Sequence, residues 1–131
     1  MDKKVQIISM SWTIERTQEN ASDIADLESA IEAAAKKGIL MFCAASDQGA
    51  VGDHSFPYAC GGTKHLFKIG AAGASGTIWK WVGEGEVDFI FPGQNIVMEQ
   101  PNNTSIAVCE KLTGSSVATA LAAGLAALIL Y

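Results

Sequence analysis

Residues 5–45 read VQIISMSWTIERTQENASDIADLESAIEAAAKKGILMFCAA, and their order of patterns decides the fold. Val5-Gln6-Ile7-Ile8-Ser9-Met10 is short, β-branched and almost continuously apolar, the signature of a parallel strand covered on both faces. Ser11-Trp12-Thr13-Ile14 leads out of it into a polar loop through Arg16-Thr17-Gln18-Glu19. Asn20 and Ser22 are candidate helix caps, and Ile24, Leu27, Ile31 and Ala34 then recur at helical spacing. Lys36-Lys37-Gly38 closes that helix, with cations at its negative end and a glycine where the chain must turn away. Ile39 to Ala45 forms a second apolar run. Strand, helix and strand in immediate succession predict a right-handed βαβ unit, and hence an α/β architecture.

Phe67 to Ala72 predicts a third strand, and Val87 to Phe91 a fourth that stops at Pro92-Gly93. Between them, Trp79 and Trp81 read as an aromatic pair packed on the sheet. Asp88, within a strand, reads as structural. The chain closes with Leu112 to Tyr131, LTGSSVATALAAGLAALILY, apolar or small from Val117 onward except for Thr119 and Gly124. No face of such a helix suits water, so a fully buried central helix is expected. From Val117 to Tyr131 it is shorter than the roughly 20 residues that a bilayer requires, so no membrane span is expected. Thr113-Gly114-Ser115-Ser116 stands at its mouth, where hydroxyls meet unpaired N–H groups and the positive end of the dipole. Ser115 and Ser116 are therefore either an N-cap pair or something more reactive.

Composition narrows the functional classes. The chain has 131 residues, 49% of them hydrophobic and only 18% charged, which suits one domain or part of one and argues against disorder. A net charge of −5, with Arg16 the only arginine, leaves no basic stripe for a phosphate backbone, so nucleic acid is excluded as a partner. Met1-Asp2-Lys3-Lys4 leads into a strand-like run and not an apolar signal segment, which favours an intracellular setting. Cys43, Cys60 and Cys109 have no metal-binding or disulfide spacing and read as buried free thiols. His54 and His65 read as surface or supporting residues. No metal or cofactor is expected: G-x-G-x-x-G is absent after the first strand, and Ala118 two residues after Ser116 rules out the G-x-S-x-G elbow.

Gly114-Ser115-Ser116-Val117-Ala118-Thr119-Ala120, followed by Ala123-Gly124, resembles the nucleophile motif of the subtilisin-like serine peptidases, usually G-T-S-x-A-x-P with A-G beyond it. Ser115 stands in place of the usual Thr, keeping the hydroxyl, and Ala120 in place of Pro, a tolerable change near a helix start. The resemblance runs from about Val5 to Leu130, and Phe67 to Ala72 and Val87 to Gly93 match the family's "V-I-A-V-G-A" and "V-D-V-x-A-P-G" strands. It implies a three-layer fold, a mostly parallel sheet flanked by helices, and peptide-bond hydrolysis with Ser116 as nucleophile. Gly114 and Ser115 would lie against the substrate. Ser11, Trp12 and Thr13 would flank the extended peptide, and Ala44, Ala45 and Ser46 would wall the pocket for the residue before the scissile bond. Asp47 takes the oxyanion place of the A-A-G-N-E-G segment, where most of the family has Asn and the acid-acting sedolisins have Asp. A protonated carboxyl can donate to an oxyanion and an ionised one repels it, so acid conditions would suit Asp47. Phe56-Pro57 falls where the family often carries a cis bond.

A serine hydroxyl needs a base, and that base an orienting carboxylate. In the family both lie upstream of the strand matching Val5 to Met10. The resemblance therefore implies the C-terminal part of a catalytic domain, with a polypeptide substrate, inactive without the N-terminal half supplied in cis or in trans. It also implies an exposed sheet edge where neighbouring strands are missing. The other expectation is a non-catalytic pseudopeptidase domain serving as an interaction scaffold.

Overall fold

A computed structural model describes residues 4–49, 54–60, 63–83, 87–98 and 110–131. Strands β1 (Ile7–Met10), β2 (Leu40–Ala44), β3 (Leu66–Ala72) and β4 (Phe89–Pro92) form one sheet in the order β1-β2-β3-β4, every neighbouring pair parallel. Helix α1 (Ala21–Lys36) connects β1 to β2, as the 5–45 pattern requires. It begins after Asn20, whose carbonyl accepts the Ile24 N–H, and ends as Gly38 takes φ +74°, a left-handed conformation open to glycine at little cost. The Asn20 side chain does not cap the helix; its Oδ1 accepts the Thr17 N–H and so shapes the preceding loop.

The sheet sorts its side chains by the alternation of the strands. Met41, Cys43 and Leu66 face α1, where Ile24 and Ile31 are buried, each side chain contributing about 1.5–3 kcal/mol by leaving water. Phe42, Ile69 and Ala71 face the other side and meet helix α2 (Ser115–Leu130). Three layers result. Lys68 also lies on the α1 side, 1% exposed, with its ammonium 4.4 Å from the centre of the Tyr58 ring. Asp88 is structural as expected: its Oδ2 accepts the Lys68 N–H at 2.7 Å.

Three expectations need correction. Helix α2 is buried on one face only, through Ser115, Ala118, Thr119, Ala122 and Ala123. Small residues let it lie close on the sheet, which turns its large ones outward: Leu121 (44%), Leu125 (47%), Leu128 (77%) and Ile129 (76%) are exposed. Composition shows that a helix is apolar, but not which side is covered. Trp79 packs on the α2 side of the sheet, but Trp81 is 47% exposed. Finally, β5 (Ile96–Met98) and β6 (Glu110–Leu112) pair antiparallel in a second sheet that the pattern did not announce. Cys43 and Cys60 are buried thiols, whereas Cys109 lies outside the described residues. Among those residues, no helix is long and apolar enough to cross a membrane.

Candidate functional site

The first turn of α2 is tied to the carboxyl end of every strand of the main sheet. From β1, the Ser11 hydroxyl donates to the Ser116 carbonyl at 2.9 Å. From β2, Asp47 reaches Ser115 twice: Oδ2 accepts its N–H at 2.7 Å and Oδ1 accepts its hydroxyl at 2.5 Å. From β3, the Ala71 N–H donates to the Ser115 hydroxyl oxygen at 3.0 Å. From β4, the Gly93 carbonyl accepts the Gly114 N–H at 2.8 Å. The helix start is thus held over the edge of the sheet where ligands of open α/β folds gather.

Local sequence explains each tie. Asp47 adopts φ +56°, a left-handed conformation that Asp tolerates better than most residues, and this turns its carboxylate toward α2. Gly93 permits the closest approach: a Cβ there would stand 2.7 Å from the Ala71 Cβ and 2.9 Å from the Gly114 carbonyl oxygen. Gly114, the N-cap, has φ +146°, a conformation side-chain-bearing residues rarely adopt. A Cβ at Gly114 would lie 3.3 Å from Ser116 Oγ and 3.5 Å from Asp47 Oδ2, so both oxygens border the same point.

The two serines differ sharply. Ser115 is fully buried, its hydroxyl accepting from Ala71 and donating to Asp47. Neither serine caps the helix with its own side chain; the cap on the Ser115 N–H comes from Asp47, across the fold. Ser116 is exposed, and neither its hydroxyl nor its N–H has a hydrogen-bond partner among the described residues. Thr119, the one hydroxyl within the apolar run, donates to the Ser115 carbonyl at 2.7 Å and is fully buried.

Around this centre, Trp12 is 45% exposed and Thr13 exposed after β1, while Ala44 and Ala45 are buried and Ser46 partly buried at the end of β2. Ile14 bridges to Phe56, which precedes Pro57 in a cis peptide bond. The Gly49 N–H donates to the Trp81 carbonyl at 2.7 Å, stitching the Asp47 loop to the turn that follows β3. His65 precedes β3, at the opposite edge of the sheet, and His54 is exposed. Among the described residues, no group of three or more acidic, His or Cys side chains could hold a metal ion. Sequence reasoning did not find the Ala71 N–H, which belongs to no motif. Thr119 was visible as a lone polar residue in an oily run.

An exposed serine, its N–H without a partner among the described residues, thus stands at the head of a helix set over the parallel strand ends of an α/β fold. Over residues 1–131 the chain matches the subtilase family, and it belongs to that family. It is 32% identical over 135 residues to the major intracellular serine protease of Bacillus subtilis (strain 168), covering 98% of this chain and 38% of that protein. Among solved structures, it superposes on the self-cleaved protease domain of PatA with a TM-score of 0.72 at 24% identity, covering 97% of this chain and 46% of that one. The prenylagaramide maturation protease PagA gives 0.70 at 23%, covering 97% and 44%. The parallel sheet between helices is therefore the subtilisin-like fold, and the chain spans less than half the length of these relatives.

Proposed function

We propose that this chain is the C-terminal, nucleophile-bearing portion of a subtilisin-like serine endopeptidase domain. Ser116 attacks the carbonyl carbon of a peptide bond, and the Ser116 N–H donates to the oxyanion that forms. The supporting observation is the contrast between the two serines: Ser115 is locked into the scaffold, whereas Ser116 stands exposed, its N–H without a partner among the described residues. The base that takes the Ser116 proton, and the carboxylate that orients it, come in this reading from the remainder of the domain, in cis or in trans. Ser11, Trp12 and Thr13 on one side, and Ala44, Ala45 and Ser46 on the other, flank the polypeptide, with Gly114 and Ser115 beneath it.

Asp47 holds the second oxyanion position in this proposal, but its carboxylate currently accepts two hydrogen bonds from Ser115. It must carry a proton before it can donate. Asp47→Asn is accordingly expected to supply a donor at that position. The test is hydrolysis of an unfolded protein substrate by the full-length protein: Ser116→Ala abolishes turnover if the proposal holds, and unchanged turnover refutes it. One observation favours a second reading, a non-catalytic scaffold: Asp47 serves as the cap of α2, a role needing no chemistry. A wild-type protein inert at both pH 5 and pH 7 would support that reading.

A further inference from the structure

We propose that the cavity beside the carboxyl end of β4 is a second peptide-binding site, one that takes an uncharged, extended segment and seats an apolar side chain such as Leu. The cavity has a volume of about 430 Å³ and lies between the turn after β3 and the turn that joins β4 to β5. None of the residues assigned above to the Ser116 site lines it, and the inference does not rest on the peptidase reading. Hydrogen bonds fix both walls. On one side the Gly76 N–H donates to the Gly73 carbonyl at 3.0 Å, and the Gly73 N–H to the Thr77 carbonyl at 3.0 Å. On the other, Asn95 takes φ +55° and its N–H donates to Thr113 Oγ1 at 2.9 Å. The Gly93 N–H ties the two sides together by donating to the Ala72 carbonyl at 3.0 Å.

The lining selects the occupant. Ala72, Ala74, Ile90, Phe91 and Ile96 make it mostly apolar, and no charged side chain lines it. A charged group would lose water there without gaining a counterion, so a neutral, apolar group is favoured. The polar side chains are the exposed carboxamides of Gln94 and Asn95, which have no hydrogen-bond partner among the described residues. That of Gln94 lies over Gly73 in space that only glycine leaves open, since a Cβ there would stand 2.8 Å from Gln94 Oε1. A carboxamide offers both donors and an acceptor, the complement of a peptide group. The strand beside the cavity points to the same ligand. β4 is the last strand of the main sheet, and no described strand pairs with its outer edge. The Asp88 N–H donates inward to the Lys68 carbonyl at 2.9 Å, so the alternation of the strand turns the N–H and C=O groups of Phe89 and Phe91 outward. An added strand would satisfy those groups and seat one side chain in the cavity beside Ile90 and Phe91.

The test uses the full-length protein carrying Ser116→Ala, so that no peptide is cut, and the peptides acetyl-Thr-Val-Xaa-Val-Thr-amide with Leu, Ala or Glu as Xaa. Calorimetry is expected to show the Leu peptide binding about tenfold more tightly than the Ala peptide, and the Glu peptide more weakly than either. Ala74→Trp fills the cavity from an exposed position and should remove the advantage of Leu while leaving the unfolding midpoint unchanged. Gln94→Ala with Asn95→Gly removes both carboxamides, keeps the left-handed turn, and should weaken the Leu peptide by about tenfold. Methylating the peptide's backbone nitrogens one at a time should weaken binding at alternate positions only. Absence of binding, equal affinity for the Leu and Glu peptides, binding unchanged by Ala74→Trp, or N-acetyl-leucinamide binding as well as the pentapeptide overturns the assignment. So does a concentration-dependent dimer that Ala74→Trp dissolves and no peptide displaces, which would make a second copy the occupant. None of these results touches the reading of Ser116, which is tested by turnover.

Discussion

Replacing each of the two adjacent serines by alanine separates the scaffold hydroxyl from the reactive one. Ser115→Ala removes an oxygen that is 0% exposed and holds two bonds. The Ala71 N–H is then left without its acceptor in a dry site, a loss of about 1–3 kcal/mol. Asp47 loses a charge-assisted donor, but its partial exposure lets water substitute, so about 1 kcal/mol is the appropriate share. The expected total is about 2–4 kcal/mol. With a urea m-value of roughly 2 kcal/mol/M, the unfolding midpoint falls by about 1–2 M. Ser116→Ala removes an exposed hydroxyl without a described partner and should change stability by less than about 0.5 kcal/mol. Urea titrations followed by tryptophan emission measure both. Equal midpoints for the two variants would refute the division of roles between neighbouring hydroxyls.

Further expectations follow from individual sites. Gly114→Ala must accept φ +146° and should destabilise by about 1–3 kcal/mol, while crowding Ser116 Oγ; thermal unfolding shows the first effect and loss of turnover the second. Gly70→Ala puts a Cβ 2.8 Å from Val82 Cγ1 and should cost about 1–3 kcal/mol, because β3 and the buried Val82 have little room to part. Leu128→Gln with Ile129→Gln should leave unfolding free energy within about 0.5 kcal/mol yet reduce self-association by light scattering, since both residues are about three-quarters exposed. Asp47→Asn should raise kcat/KM by about 10²-fold, the worth of one oxyanion donor, if that side chain faces the oxyanion. Burial, with Glu28 and Glu32 adding to it and Arg16 opposing, raises the Cys60 thiol from 9.0 to about 11. The unfolded chain ionises first, so this contribution is complete below pH 9 and is lost as pH rises toward 11; Cys60→Ala should flatten the decline in a pH series of urea midpoints.

The sheet was legible because parallel strands buried on both faces are short apolar runs, and residues 5–45 contain two of them around a helix of clear period. Strand ends moved by a residue or two, as with β4, expected from Val87 and observed over Phe89–Pro92. Helix α2 was legible in extent but not in orientation, because alanine and leucine are equally apolar and only packing decides which side lies against the sheet. At the site, the motif drew attention to Ser116 and Asp47, yet the bonds of Asp47 to Ser115 depend on a left-handed backbone at residue 47 that S-D-Q-G permits without demanding. The contributions of Ala71 and Gly93 are backbone groups brought close by folding, and no side-chain pattern announces them.

The central claim is that Ser116, and not its neighbour, is the nucleophile. Treating the full-length protein with a fluorophosphonate at pH 5 and pH 7 and mapping the adduct by peptide mass spectrometry tests it most directly. The account predicts a phosphonylated Ser116 that disappears in Ser116→Ala and persists in a folded Ser115→Ala protein. An adduct on Ser115, or no adduct at either pH, would contradict it.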